Sequence, residues 1–110
     1  VNFSLPFAGL SRTALLENDL AQALEQARRA VQVGPNSAAN RMLLGQVLIK
    51  MGLHTEAVPQ LKTAIALDPT ASSLYYLLYQ CYLKTGEKSR AESTLSEFKK
   101  MLAYYGEGLP

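Results

Sequence analysis

The sequence predicts an all-α protein, a solenoid of six helices in three antiparallel pairs, and two observations lead to this prediction. The first is a period of 34 residues, visible in three aligned sets: Leu10, Leu44 and Leu78; Asn18, Gly52 and Gly86; and Ala23, Ala57 and Ala91. The second is that apolar residues inside each half of the period recur at helical spacing. A fixed period of this length indicates stacked helical units rather than one closed globular core.

The second unit carries the clearest motif. It reads Leu44-Gly45-x-x-Leu48, then Ala57-x-x-x-Leu61, and it closes with Pro69. This pattern resembles the tetratricopeptide repeat family, and the resemblance covers roughly residues 4–103. It implies a single domain, residues 1–110, stacked as a right-handed superhelix with a concave and a convex face.

Each predicted helix lies between a capping residue and a helix breaker. The helices are expected over about 6–17, 20–33, 38–51, 55–67, 72–84 and 88–104, the repeats over about 4–37, 38–71 and 72–105, and a short frayed tail over 105–110. Ser4, Asp19 and Ser37 are the expected N-caps of the first three helices, and Thr70 or Ser72 caps the fifth.

Three residues carry specific structural expectations. Asn18 stands where later units have Gly, so it is expected to end the first helix in a left-handed conformation. Gly45 is expected to let the partner backbone approach closely, and Pro59 to kink the fourth helix mildly or delay its start.

Leu10 and Ala14, with Phe7 and Thr13, are expected to face the partner helix.

The composition narrows the function classes. Eleven basic and nine acidic residues give a net charge of +2, which provides no argument for nucleic acid or an anionic membrane. No apolar run approaches the ~20 residues that a membrane-spanning helix needs, so membrane insertion is not expected. The chain begins at Val1 without Met, which we interpret as a piece of a longer protein or a processed one. The compartment stays open.

Catalytic and metal-binding constellations are missing from the sequence. The chain has one His and one Cys, without ligand spacing or a phosphate-binding loop. His54 is expected to be exposed in a turn, and Cys81 to be a packing residue. We therefore expect no metal, no cofactor and no enzymatic activity.

In the first helix of each predicted pair, one stripe of residues does not pack and is the candidate surface for binding a partner. Its candidate groove residues are Arg12, Met42, Gln46, Ile49, Lys50, Tyr76, Gln80 and Lys84. The resemblance implies that this stripe lines a concave groove that holds a peptide. Side-chain amides can bond a peptide main chain, and the basic side chains favour an acidic segment. The alternative is a solvated face without a ligand.

The resemblance also allows one subtype to be weighed. Chaperone-adaptor members hold a terminal carboxylate with basic and amide side chains, and the matching positions here read Ala8, Arg12, Leu43, Ser73 and Leu77. Only Arg12 is basic, so a carboxylate clamp of that type is not expected.

The last helix suggests a second role. Its apolar residues Phe98, Met101, Leu102 and Tyr105 are candidates for self-association, which predicts either a monomer or a weak homodimer through this helix. Exposure of a truncated edge is the simpler explanation of the same residues. The favoured function is a non-catalytic protein–protein interaction module. The alternatives are a self-associating scaffold, or an accessory domain of a larger protein, enzymatic or secretion-related.

Overall fold

The structure, a computed structural model, describes residues 2–106 and consists there of six α-helices and no strand. The helices are α1 (Leu5–Leu16), α2 (Leu20–Val33), α3 (Ala38–Lys50), α4 (His54–Leu67), α5 (Ser72–Lys84) and α6 (Lys88–Gly106). They follow one another through short turns, which bring consecutive helices together as antiparallel hairpins. The predicted all-α class and the six helices are confirmed.

Each hairpin forms one unit of the stack, and α1–α2, α3–α4 and α5–α6 are the three units. Two seams join them, because α3 packs against both α1 and α2, and α5 packs against both α3 and α4. The first helices of the second and third units, α3 and α5, therefore pack against the helix pair that precedes them. The core is distributed over these seams rather than gathered at one centre.

The turns inside the hairpins have one geometry in all three units. Asn18, Gly52 and Gly86 have positive φ angles of 58°, 78° and 77°. The residue after each donates its backbone N–H to a carbonyl five residues back, and all three bonds measure 2.8 Å. This is the six-to-one bond of a Schellman motif. The expectation that Asn18 takes the left-handed role of the later glycines is confirmed.

The predicted helix caps divide into two groups. Asp19 and Ser37 accept backbone N–H bonds from Gln22 and Asn40, both at 3.2 Å, as predicted. Ser4 holds the predicted N-cap position of α1, but its side chain makes no cap bond, and its hydroxyl donates to the side chain of Asn2.

The cap predicted for α5 was wrong. Ala71 occupies the N-cap position, and no side chain caps the helix. The Thr70 side chain bonds to Asp68 rather than to the helix. The Asp68 carboxylate accepts hydrogen bonds from the Thr70 backbone N–H at 3.2 Å and from the Thr70 hydroxyl at 2.7 Å. The Thr70 side chain is therefore engaged in its own turn.

Small residues set the spacing of the helices. A Cβ atom added at Gly45 would lie 2.8 Å from a methyl carbon of Leu61, so Gly45 admits that side chain rather than a partner backbone. In the first unit the same position is Ser11, whose buried hydroxyl donates to the Ala23 carbonyl at 2.8 Å. Both residues allow the two helices of their unit to lie close together.

Polar side chains fasten the seams to the turns between units. Asn40 donates to the carbonyls of Ala30 and Gly34, each at 3.1 Å. Arg41 donates to the Pro35 carbonyl at 3.0 Å, and Tyr75, its repeat equivalent, donates to the Pro69 carbonyl at 2.9 Å. Different side chains thus serve one role in successive units.

Three expectations need correction. Leu10 is exposed rather than turned to a partner, because no helix packs on that face of α1 within residues 2–106. Thr13 is exposed for the same reason. Helix α4 begins at His54, so Pro59 does not delay its start.

The C-terminal end differs from the prediction as well. Helix α6 continues through Gly106, so residues 105 and 106 are helical rather than part of the expected tail. Residues 107–110 of that tail lie outside the described residues.

Candidate binding surface

The first helices form the inner side of the stack. Helix α3 contacts both α1 and α5, whereas the described residues show no corresponding contacts between α2 and α4 or between α4 and α6. Helices on the inside of a curved array lie closer together than those on the outside. The face formed by α1, α3 and α5 is therefore the concave one, which agrees with what the tetratricopeptide resemblance implies.

Most of the predicted groove residues are accessible to a partner. Arg12, Gln46, Lys50, Tyr76 and Lys84 are exposed, and Met42, Ile49 and Gln80 are half-buried. Ala8, which shares a column with Met42 and Tyr76, is buried. The apolar column of Ala8, Met42 and Tyr76 is therefore accessible to a partner only in the second and third units.

The two glutamines of the stripe differ in their environments. Gln80 donates from its side-chain amide to the Tyr76 hydroxyl at 3.1 Å, so its amide is already oriented by a neighbour one helical turn away. Gln46 is exposed, and its column neighbour one turn earlier is Met42, which has no hydroxyl. Only the third unit therefore presents an amide held in place.

The charges of the first helices all have one sign. Helices α1, α3 and α5 carry four charged residues, Arg12, Arg41, Lys50 and Lys84, and all four are basic. The eight acidic residues of the described part lie in turns or second helices. Within residues 2–106 the ion pairs join Arg29 to Glu25 and Arg90 to Glu87, so they neutralise none of these four.

A cavity of about 230 Å³ lies at the C-terminal end of the stack, and the sequence did not predict it. Its lining is almost entirely apolar and consists of Tyr75, Tyr76, Tyr79, Leu95 and Phe98. The rings of Tyr75 and Phe98 stack with centroids 5.8 Å apart. Burial raises the pKa of Tyr75, with smaller contributions from Glu97, Tyr105 and Asp68. Tyr79 in the Gly45 column was the available signal for this cavity.

The residues proposed for self-association have unequal access to solvent. Met101 is buried, and Phe98 is half-buried beneath Tyr75. Leu102 and Tyr105 are exposed. Two of the four candidates therefore contribute mainly to packing at the end of the stack.

Neither of the two side chains that could react, Cys81 and His54, is fully exposed. Burial raises the pKa of the Cys81 thiol to about 11, and its side chain is fully buried. His54 is the first residue of α4 and half-buried, which corrects the expectation of an exposed turn residue. Residues 2–106 contain no group of His, Cys, Asp and Glu side chains arranged to hold a metal. The same residues include no helix long and apolar enough to span a bilayer.

Three hairpins with a 34-residue period, left-handed turn residues and a concave face of first helices define a tetratricopeptide-repeat protein. A family model described as anaphase-promoting complex, cyclosome, subunit 3 matches residues 16–98, about three quarters of the sequence. The chain belongs to this family.

Solved structures support the same fold. A crystal structure of the MamA protein superposes with a TM-score of 0.91 at 16% identity, over 99% of this chain and 60% of that one. The TPR2B domain of yeast Sti1, in a complex with pHsp70, gives a TM-score of 0.85 at 18% identity, over 96% of this chain and 85% of that one. The second TPR of Spaghetti (RPAP3), bound to the HSP90 peptide SRMEEVD, gives 0.81 at 15% identity over 89% and 91%. The chain thus spans about three fifths of the MamA chain.

Proposed function

We propose that this protein is a non-catalytic binding module that holds an acidic peptide segment against the concave face of α1, α3 and α5. The observation that carries the proposal is the charge of these helices, on which Arg12, Lys50 and Lys84 are exposed and no acidic residue occurs. A surface of one sign raises the local concentration of an oppositely charged partner and speeds its association.

The stripe supplies three kinds of contact in this proposal. Arg12, Lys50 and Lys84 attract carboxylates, and they are exposed along the inner face. Met42 and Tyr76 give apolar contact that adapts to different side chains. Gln46 and Gln80 bond the peptide main chain, and the Gln80–Tyr76 hydrogen bond holds one amide ready.

Two structural neighbours support the module class. The Sti1 domain and the Spaghetti domain are described in complexes with pHsp70 and with the HSP90 peptide SRMEEVD. Our chain does not repeat the clamp positions, because Ala8 and Leu43 are buried and uncharged there. We therefore propose recognition of internal acidic residues rather than of a terminal carboxylate.

The direct test reverses the charge of the groove. A short fluorescein-labelled peptide rich in Glu and Leu serves as the probe, and fluorescence polarisation measures its affinity. Lys50→Glu combined with Lys84→Glu should weaken binding about tenfold or more, since each lost attraction contributes about 1 kcal/mol. The matched control, Lys62→Glu with Lys88→Glu, reverses two exposed lysines on second helices and should change the affinity less than about twofold.

Three further measurements complete the design. The same probe with Gln in place of Glu should bind the wild type weakly, and raising the salt concentration should weaken only the acidic probe. Gln46→Ala with Gln80→Ala tests the amide contacts separately from the charges. Equal losses in the groove variant and the control variant would show that the peptide does not occupy the concave face.

A further inference from the structure

A small cavity of about 110 Å³ lies between the second and third units, at the N-terminal ends of α3 and α5. The apolar part of its lining comes from both helices and from the turn that joins the units: Ala38, Ala39, Met42, Ala71 and Leu74. A complete helix pair lies on each side of the cavity. Because Met42 belongs to the groove stripe and Ala39 is exposed, the cavity opens onto the concave face. We call this cavity the seam pocket.

The residues of the seam pocket differ from those at the same positions of the first seam. One repeat earlier, the positions of Ala38, Ala71 and Leu74 are Ser4, Ser37 and Asn40. Asn40 donates to two backbone carbonyls, so the first seam uses this position for polar bonds. Leu5 stands at the position of Ala39 and has a larger side chain. Of the two seams, only the second therefore combines small and apolar residues at these positions.

The volume of the seam pocket selects the side chain that fits. An apolar cavity of about 150 Å³ in another protein holds a benzene molecule. The seam pocket, at about 110 Å³, is smaller than that. Its size matches a branched aliphatic side chain, as in Leu or Ile, better than the ring of Phe or Tyr. Met42 forms one wall, and its flexible side chain can adapt to either aliphatic shape.

The polar part of the lining disfavours an acidic side chain in the pocket. It consists of Asp68 and Ser73. The Asp68 carboxylate is held in place by the Thr70 backbone N–H at 3.2 Å and the Thr70 hydroxyl at 2.7 Å. A second negative charge beside this carboxylate would be repelled. The acidic residues of a bound segment must therefore lie elsewhere in the groove.

The lysine of α3 lies toward the opposite end of the helix from the pocket. Lys50 is exposed and follows Met42 by eight residues, which corresponds to about 12 Å along the helix axis. An extended chain rises about 3.3 Å per residue, so about three to four residues cover this distance. A side chain in the pocket and a carboxylate at Lys50 would therefore be that far apart in the sequence of the bound segment.

We propose that the seam pocket holds one aliphatic side chain of a segment whose acidic residues lie about three or four positions away and contact Lys50. This inference rests on the proposed function, because the same concave face holds the segment. The lysines attract the segment, and the pocket fixes its register along the groove. The class of partner is thus an acidic segment with an aliphatic anchor at the right spacing, rather than any acidic chain.

A designed probe tests the anchor. It is a fluorescein-labelled peptide of Ser and Gly with one central Leu and with Glu at the third and fourth positions on both sides, so that either chain direction presents the same pattern. Fluorescence polarisation measures its affinity. Replacing the Leu by Ala, Phe or Glu should weaken binding about tenfold, because the pocket is then empty, overfilled or charged. Moving the Glu residues next to the Leu keeps the composition and should weaken binding about fivefold.

Ala39→Leu closes the pocket with a side chain of the protein itself. This substitution installs the residue that the first unit has at this position, Leu5, on an exposed edge of α3. It should weaken the Leu probe about tenfold and change the affinity of the Ala probe less than about twofold. Ala66→Leu is the matched control, because it adds the same side chain at an exposed position of α4, and it should leave both probes unaffected. Circular dichroism verifies the fold of both variants.

The outcomes separate this inference from the function on which it rests. If Lys50→Glu with Lys84→Glu weakens the Leu probe while the Leu replacements or Ala39→Leu do not, the anchor is overturned and the groove remains. If charge reversal leaves the probe unaffected, or if no probe binds the wild type, the proposed function fails and the anchor fails with it.

Two further results would overturn the anchor. Equal losses of the Leu and Ala probes in Ala39→Leu would show that the new side chain disturbs the groove as a whole. A probe with Gln in place of Glu that binds equally well would assign the seam pocket to an uncharged apolar partner.

Discussion

The second and third units share one plan and differ in what covers them. Leu61 and Leu95 are repeat equivalents, yet Leu61 is fully buried and Leu95 is partly exposed. Gly45 admits the Leu61 side chain at close range, while Tyr79 in the same column lines an open cavity. Position within the repeat therefore sets which way a side chain points, and the neighbouring unit decides whether that side chain is buried.

The largest expected effect comes from truncating these two leucines. Leu61→Ala should lower the free energy of unfolding by about 2–5 kcal/mol, because it leaves a cavity in a fully packed seam. Leu95→Ala should lower it by about 1 kcal/mol or less, because the residue already contacts water. Urea unfolding of both variants measures the difference. Equal losses would contradict the role we assign to the covering helix.

Cys81 is buried although its repeat equivalent Thr13 is exposed, and this burial should make the stability of the protein depend on pH. Burial raises the pKa of the Cys81 thiol to about 11. The unfolded chain loses this proton near pH 9, before the folded chain does, so stability should fall between about pH 9 and 11 by about 2–3 kcal/mol. Below about pH 9 both states keep the proton, and the effect is absent.

The matched variant isolates the thiol. Burial also raises the pKa values of Tyr75 and Tyr82, which therefore add their own losses above about pH 10. Cys81→Ala should retain the tyrosine contribution and lose the thiol contribution. Urea midpoints at about pH 8 and pH 10 are compared in both proteins. A wild type and a variant with the same pH dependence would show that the thiol does not titrate in this range.

Two helix glycines should respond in opposite directions to the same substitution. Gly45→Ala should destabilise the protein by about 1–2 kcal/mol, because the new methyl group would press on Leu61 inside a closed seam. Gly9→Ala should stabilise it by about 0.5–1 kcal/mol, since no atom lies within 4 Å of the added carbon. Thermal unfolding of both variants decides the matter, and shifts of the same sign would be inconsistent with the packing described.

The smallest expected effect concerns the caps of the second helices. Asp19→Ala should cost about 0.5–1 kcal/mol, because it removes the side-chain bond to the Gln22 backbone N–H. Leu53 holds the same position before α4 and makes no cap bond. Leu53→Ala should therefore lower the free energy of unfolding by less than Asp19→Ala does, because the Leu53 side chain is exposed. The two urea midpoints provide the comparison. An unchanged midpoint in Asp19→Ala would show that the exposed cap is not contributing.

The sequence predicted those features that depend on the period and on local chemistry. Helices α2 and α5 begin and end at the predicted residues, and Asn18 adopts the conformation inferred from Gly52 and Gly86. Each of these features depends on a few neighbouring residues. The repeat then transfers them from one unit to the next.

Features that depend on covering neighbours could not be predicted in this way. The period placed Leu10 in a buried column, although nothing in that column shows whether a helix lies on the first unit. The cap expected at Thr70 or Ser72 failed because Ala71, which has no polar side chain, holds the N-cap position of α5. Among the site residues, the exposed stripe of groove residues could be predicted from helical spacing. The cavity beside Tyr79 could not, because its lining comes from both α5 and α6 and depends on how these two helices are placed.

The most direct test of the concave surface is an amide NMR titration of the ¹⁵N-labelled protein with the Glu- and Leu-rich peptide. Our account predicts that shifts concentrate at Arg12, Gln46, Lys50, Gln80 and Lys84, with little change at Lys62 and Lys88. Shifts centred on α2, α4 and α6, with the first helices unaffected, would contradict it.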